Sequence, residues 1–211
     1  MHRKRFLAIL IGFLICALAQ TSLSADSFPL FSERPEEAGT AVENSDWKEM
    51  LAEEGPWLLI VRHGKTAGDP SRDMSEEQLE ARRGERVLST EGWREAERAG
   101  EFLDTGEISP TGIYASPLYR ARDTAKLVFG DYEIWEPLRS ADAGLGNREN
   151  ISERLQQIRQ EGNREVWVTH SPNVADILGF WAGEGQMFLL RWEGDELLLA
   201  GTWRIDLAAE E

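Results

Sequence analysis

The chain has 211 residues, with 23 Lys and Arg against 38 Asp and Glu and a formal net charge of −15. Nucleic acid and anionic lipid surfaces would repel so acidic a body. A phosphate-binding site must therefore be a local cationic pocket, better suited to small phosphoesters than to polyanions. The single cysteine is Cys16. No intramolecular disulfide can form, so the fold must be held by its hydrophobic core.

Met1 to Arg5 is strongly basic, and the uncharged apolar run Phe6–Ala19 follows. With the A-x-A-like stretches ending at Ala19 and Ala25, this describes a secretory signal peptide over residues 1–25, cleaved after one of those alanines. The run is shorter than the roughly 20 residues of a spanning helix. An uncleaved anchor is the alternative, and only then is stable membrane association expected. Loss of Arg3, Lys4 and Arg5 takes the mature net charge to about −18. The expected location is outside the cytoplasm, in the periplasm. Residues 26–54 read as a linker ending in a short helix, with Trp47, Met50 and Leu51 behind Ser45 and Asp46.

Residues 55–206 read as one domain. Trp57 to Val61 is a continuous apolar run, as in a strand buried on both faces. Thr90 is expected to cap a helix to about Leu103, with Trp93, Ala96, Ala99 and Leu103 on its inner face. Gly112 to Ala115 is a short strand. Ser116 and Pro117 then read as an N-cap and first helical residue, with Leu118, Ala121, Ala125 and Val128 buried and Gly130 as the stop. A strand is expected within 132–138 and a helix carrying Ile151, Leu155 and Ile158. Glu165 to Thr169 is a third central strand, and Ser171 opens a helix reaching Trp181. A hairpin turns at Gly194-Asp195. Strands alternating with helices predict a three-layer α/β/α sandwich with a mostly parallel sheet.

Apart from His2 in the leader, the only histidines are His63 and His170. Each directly follows a predicted central strand. In open α/β sheets ligands bind beyond the carboxyl ends of the strands, so both can reach one pocket.

Arg62-His63-Gly64-Lys65-Thr66, Leu88-Ser89-Thr90-Glu91-Gly92, Ser116-Pro117-Leu118-Tyr119-Arg120 with Thr124-Ala125, and Val168-Thr169-His170-Ser171 occur in that order. Together they resemble the histidine phosphatase superfamily, which includes the cofactor-dependent phosphoglycerate mutases, over about Trp57 to Trp181. The resemblance implies a phosphomonoesterase whose His63 attacks phosphorus and becomes phosphohistidine. Arg62 and Arg120 would bind the phosphoryl oxygens, because a planar guanidinium matches an oxyanion and keeps its charge. His170 would stabilise an equatorial oxygen. Gly64 would admit the backbone close to the phosphate, and Thr66 would add a hydroxyl donor. Two histidines without ordered carboxylate spacing imply neither a metal nor another cofactor. The expected partner is a small phosphorylated substrate; the oligomeric state stays open.

Three positions depart from the family pattern. Asp69 stands where Asn is frequent, Glu95 where Gln is usual, and Ser140 where a proton-donating Glu is common. Asp142 is the first candidate for the general acid, followed by Asp69 and Glu136. A site without a dedicated acid would suit a good leaving group. The alternatives are thus a phosphoramidate or phosphohistidine phosphatase, or a phospho-ligand-binding module without turnover. Arg122 reads as a solvated charge and Arg72 to Arg86 as a polar loop or helix over the pocket. Trp181, Trp192 and Trp203 read as core, with a sugar-binding face as the alternative.

Overall fold

A computed structural model describes residues 49–67, 86–103, 108–139 and 146–205. The expected signal peptide, most of the linker including Trp47, the 72–85 stretch, and Asp69, Ser140 and Asp142 lie outside the described residues.

One six-stranded sheet organises the domain. Strand β1 (Trp57–Arg62) lies at its centre. Strands β4 (Gly112–Ala115), β5 (Glu133–Ile134) and β6 (Arg164–Thr169) complete the parallel part, in the order β5-β4-β6-β1. Beyond β1, β7 (Gln186–Glu193) and β8 (Glu196–Arg204) add an antiparallel edge. They turn at Gly194-Asp195, where Gly194 adopts φ 63°. Strands β2 (Thr66–Ala67) and β3 (Val87–Leu88) form a separate small antiparallel pair.

The apolar run Trp57 to Val61 is wholly buried because it feeds two cores, its side chains alternating between the faces. Trp57, Leu59 and Val61 meet Ala96, Ala99 and Leu103 of α1 (Thr90–Leu103) and Ala121, Ala125 and Val128 of α2 (Tyr119–Phe129). Leu58 and Ile60 meet Ile151, Leu155 and Ile158 of α3 (Gly146–Glu161) and Val174 and Ile177 of α4 (Ser171–Leu178). The leucine, isoleucine and valine side chains among them each contribute roughly 1.5–3 kcal/mol by burial. The result is the expected three-layer sandwich with a mostly parallel sheet. Among the described residues no helix is long and apolar enough to cross a membrane.

Several local expectations are corrected. Helix α1 is capped by Ser89, not Thr90: the Gly92 amide donates to Ser89 Oγ at 3.0 Å. Trp93 is 39% exposed, outside the buried stripe. Helix α2 starts at Tyr119, two residues later than a Ser116 cap with Pro117 as first helical residue requires. Residues 132–138 hold a two-residue strand and a 3-10 turn, Glu136–Leu138. Helix α4 stops at Leu178, because Gly179 adopts the left-handed conformation that closes a helix. Trp203 is core, whereas Trp181 is 73% exposed, so the three tryptophans do not share a face. Arg122 is not simply solvated: it lies over the Tyr119 ring and donates to Tyr132 at 3.3 Å.

Gly92 explains part of the Leu88-to-Gly92 motif. A Cβ there would collide with the Lys65 carbonyl, which also accepts the Ser89 amide at 2.9 Å. The start of α1 is thus pressed against the loop after β1. Gly92→Ala should cost about 1–3 kcal/mol through forced backbone displacement. Urea denaturation checks this: the midpoint should fall at an unchanged slope.

Candidate active site

The parallel strands explain why distant residues meet. Strands β4, β6 and β1 are adjacent, and Ser116, His170 and His63 each follow the last residue of one of them. The ladder continues past the strand ends, with the His63 amide donating to Thr169 at 3.1 Å and the Ser116 amide to Val168 at 2.9 Å. Neighbouring strands lie about 4.8 Å apart. The two imidazoles accordingly stand 5.3 Å apart between centroids, tilted by 56°. Both are 2% exposed.

His63 Nδ1 lies 2.9 Å from the Gly64 carbonyl oxygen. A carbonyl only accepts, so Nδ1 carries the proton and Nε2 keeps the lone pair. Burial, then the positive charge of Arg120, holds the His63 pKa well below the usual histidine range. Burial and Arg120 do the same for His170. His170 Nε2 meets Ser116 Oγ at 2.7 Å, while its buried Nδ1 has no partner among the described residues. Ser116 therefore positions His170 instead of capping α2, although its Oγ also accepts the Leu118 amide at 3.3 Å.

Three arginines surround the pair. Arg120, on the first turn of α2, is 3% exposed. Arg62 donates to the Ala182 carbonyl, which also accepts Ser171 Oγ at 3.0 Å. Arg86 is 8% exposed and, with Arg62 and Arg120, presses electrostatically on both histidines. Arg86 was expected at the end of a polar segment over the pocket, without a role of its own; it is buried and belongs to the site. So does Glu184, for which the sequence offered no signal. It accepts from Thr66 Oγ1 at 2.6 Å and from Arg86 at 3.3 Å.

The other expected residues occupy definite places. Gly64 donates its amide to Thr124 Oγ1 at 2.9 Å, and that hydroxyl donates to the Arg120 carbonyl at 2.7 Å. Thr124 thereby ties the loop after β1 to the helix that presents Arg120. The Gly64 amide is turned to Thr124, and a Cβ at Gly64 would make only ordinary contacts with its described neighbours. The Thr66 hydroxyl is turned to Glu184. Glu136 is exposed and pairs with Arg139 at 3.1 Å. Asn173 bonds the Leu138 and Arg139 carbonyls and Thr169 Oγ1, pinning the chain just before Ser140 to β6 and α4.

Neutral, buried imidazoles make the site acid-sensitive. The unfolded chain protonates these histidines below about pH 6.5, whereas the folded protein does not until lower pH. More protons are then bound by the unfolded state, so stability falls as pH drops through that window. Each ring contributes up to about 1.4 kcal/mol per pH unit. NMR checks the cause directly: the ring signals of His63 and His170 should not titrate between pH 7.5 and 6. An ordinary midpoint near 6.5 would contradict the electrostatics described.

A bare imidazole nitrogen, a second neutral imidazole and a cluster of guanidiniums at parallel strand ends define a phosphoryl-transfer class of site. Residues 58–179 match the family model of the histidine phosphatase superfamily, branch 1, and the chain belongs to that superfamily. Its enzyme class is accordingly phosphoric monoester hydrolase. Two similar solved structures share the fold. The protein histidine phosphatase SixA, complexed with tungstate, is 16% identical over 71% of this chain and 97% of that one, with a TM-score of 0.51. A mycobacterial glucosyl-3-phosphoglycerate phosphatase with inorganic phosphate is 16% identical over 72% of this chain and 99% of that one, also with a TM-score of 0.51. No curated protein matches the chain by sequence.

Proposed function

We propose that the protein hydrolyses a small phosphomonoester through a phosphohistidine on His63. The observation that carries this reading is the His63 Nδ1 bond to the Gly64 carbonyl, which leaves Nε2 unprotonated among Arg62, Arg86 and Arg120. The attacking Nε2 forms the N–P bond as the ester P–O bond breaks. Water then attacks phosphorus, releasing orthophosphate and restoring the imidazole. Arg62 and Arg120 neutralise the non-bridging oxygens. His170 supplies a further donor, its Nδ1 being the nitrogen that Ser116 leaves open. The alkoxide leaving group takes a proton from Asp142 or from water.

The intact nucleophile favours this reading over a binding module without turnover. We further propose export to the periplasm, on the basic Met1–Arg5 and the apolar Phe6–Ala19. Cell fractionation with N-terminal sequencing tests this: a mature chain starting at Gln20 or Asp26 is expected, and full-length cytoplasmic protein would refute it. The activity is tested with p-nitrophenyl phosphate, whose leaving group needs little protonation. Turnover by the wild type is expected. Phosphate binding without turnover would leave the module reading instead.

A further inference from the structure

Glu184 lies in the connection between α4 and β7, 118 residues from Thr66 in sequence but against it in space. Its Oε1 accepts from Thr66 Oγ1 at 2.6 Å and from Arg86 Nη2 at 3.3 Å, with Arg62 Nη2 at 3.8 Å. Its Oε2 accepts from the Thr66 amide at 3.3 Å. Two guanidiniums, a hydroxyl and a backbone amide are the donors that an anionic group of a substrate would seek. Here a carboxylate of the protein already holds them. The side chain is 28% exposed, so it is accessible to solutes. It lines a pocket of about 160 Å³ with Lys65, Glu91, Glu95, Gly185 and Arg204. Three carboxylates thus stand against two cations there, and Lys65 is engaged by Glu91.

We propose that Glu184 sets substrate choice: its carboxylate occupies the cationic donors beside the phosphoryl site and excludes esters whose alcohol carries a second anionic group. The substrates are phosphomonoesters of neutral or amine-bearing alcohols. A carboxylate or second phosphate on the leaving group would have to displace Glu184 from Arg86 and Thr66 and then lie beside it, and like-charge juxtaposition is strongly unfavourable. This rests on the phosphomonoesterase reading above. It differs from a proton-donor role, because in every contact described Glu184 accepts.

The test compares 3-phosphoglycerate with glycerol 3-phosphate, which differ at the carbon bearing either a carboxylate or a hydroxymethyl group. Wild type should prefer glycerol 3-phosphate. Glu184→Gln should raise the ratio of kcat/KM for 3-phosphoglycerate over glycerol 3-phosphate by about tenfold or more. Glu184→Asp, which keeps the charge, should hold the ratio within about threefold of wild type. Circular dichroism confirms that the variants are folded. An unchanged ratio in Glu184→Gln, or the same change in Glu184→Asp, would overturn the proposal. So would a selective loss of alkyl over p-nitrophenyl phosphate turnover, the mark of a proton donor. If wild type turns over neither ester nor p-nitrophenyl phosphate, the phosphomonoesterase reading fails instead. The ratio of dissociation constants for the same two ligands, measured by calorimetry, then decides the charge exclusion independently.

Discussion

His63→Ala should abolish turnover of every phosphoester while leaving the protein folded and able to bind orthophosphate. The variant removes the nitrogen proposed to accept the phosphoryl group, and losses on replacing a nucleophile are on the order of 10⁴-fold or more. The structural cost is small, since the ring's one described hydrogen bond is to the neighbouring Gly64 carbonyl. A net hydrogen bond contributes only about 1 kcal/mol. The cations remain, so the dissociation constant for orthophosphate should change by less than about tenfold. Stopped assays with p-nitrophenyl phosphate, paired with calorimetric phosphate titration, read both outcomes. Retained turnover would remove His63 from the chemistry. Loss of binding together with turnover would make it chiefly a binding residue.

Arg120 carries the next largest effect. Its guanidinium is buried near both imidazoles and is, after burial itself, the strongest influence keeping each neutral. In the proposed mechanism it therefore has two tasks: neutralising phosphoryl oxygens and keeping protons off the nucleophile. Arg120→Met should lower kcat/KM by about 10²–10³-fold, the usual scale for losing a preorganised oxyanion partner. It should also move the His63 titration upward toward the ordinary range, because one of the charges opposing protonation is gone. Arg120→Lys keeps the charge but lacks the planar fork, so kcat/KM should fall while the histidine titration stays low. pH–rate profiles and NMR titrations of the two variants separate these tasks. A titration shift in both variants, or in neither, would contradict the division.

The legible parts of this protein are those where residue type and strand position coincide. His63 and His170 could be read because each ends a buried apolar run, and adjacent parallel strands bring such ends together. Arg120 could be read from its place one helical turn before Thr124. Thr124 serves that geometry differently from a phosphate contact, by bonding the Gly64 amide. Ser116 was ambiguous for a physical reason: a serine before proline suits a helix cap, yet here its hydroxyl meets His170, a residue 54 positions away. Ser89 and Thr90 are both competent caps, and only the bond to Gly92 decides between them. The apolar Phe180 and Trp181 prolonged the expected last helix past the left-handed Gly179. Arg86 and Glu184 were illegible because no periodicity marks them. Charged residues in polar or glycine-rich connections are usually solvated, and only the tertiary fold pairs these two.

The central claim is a covalent phosphohistidine on His63, and rapid acid-free quenching of the mature protein with ³²P-labelled p-nitrophenyl phosphate tests it most directly. The account predicts an acid-labile, base-stable label on the peptide containing His63, absent from His63→Ala and retained in Glu184→Gln. A label on His170 or on a hydroxyl side chain, or full turnover with no labelled protein at any quench time, would contradict it.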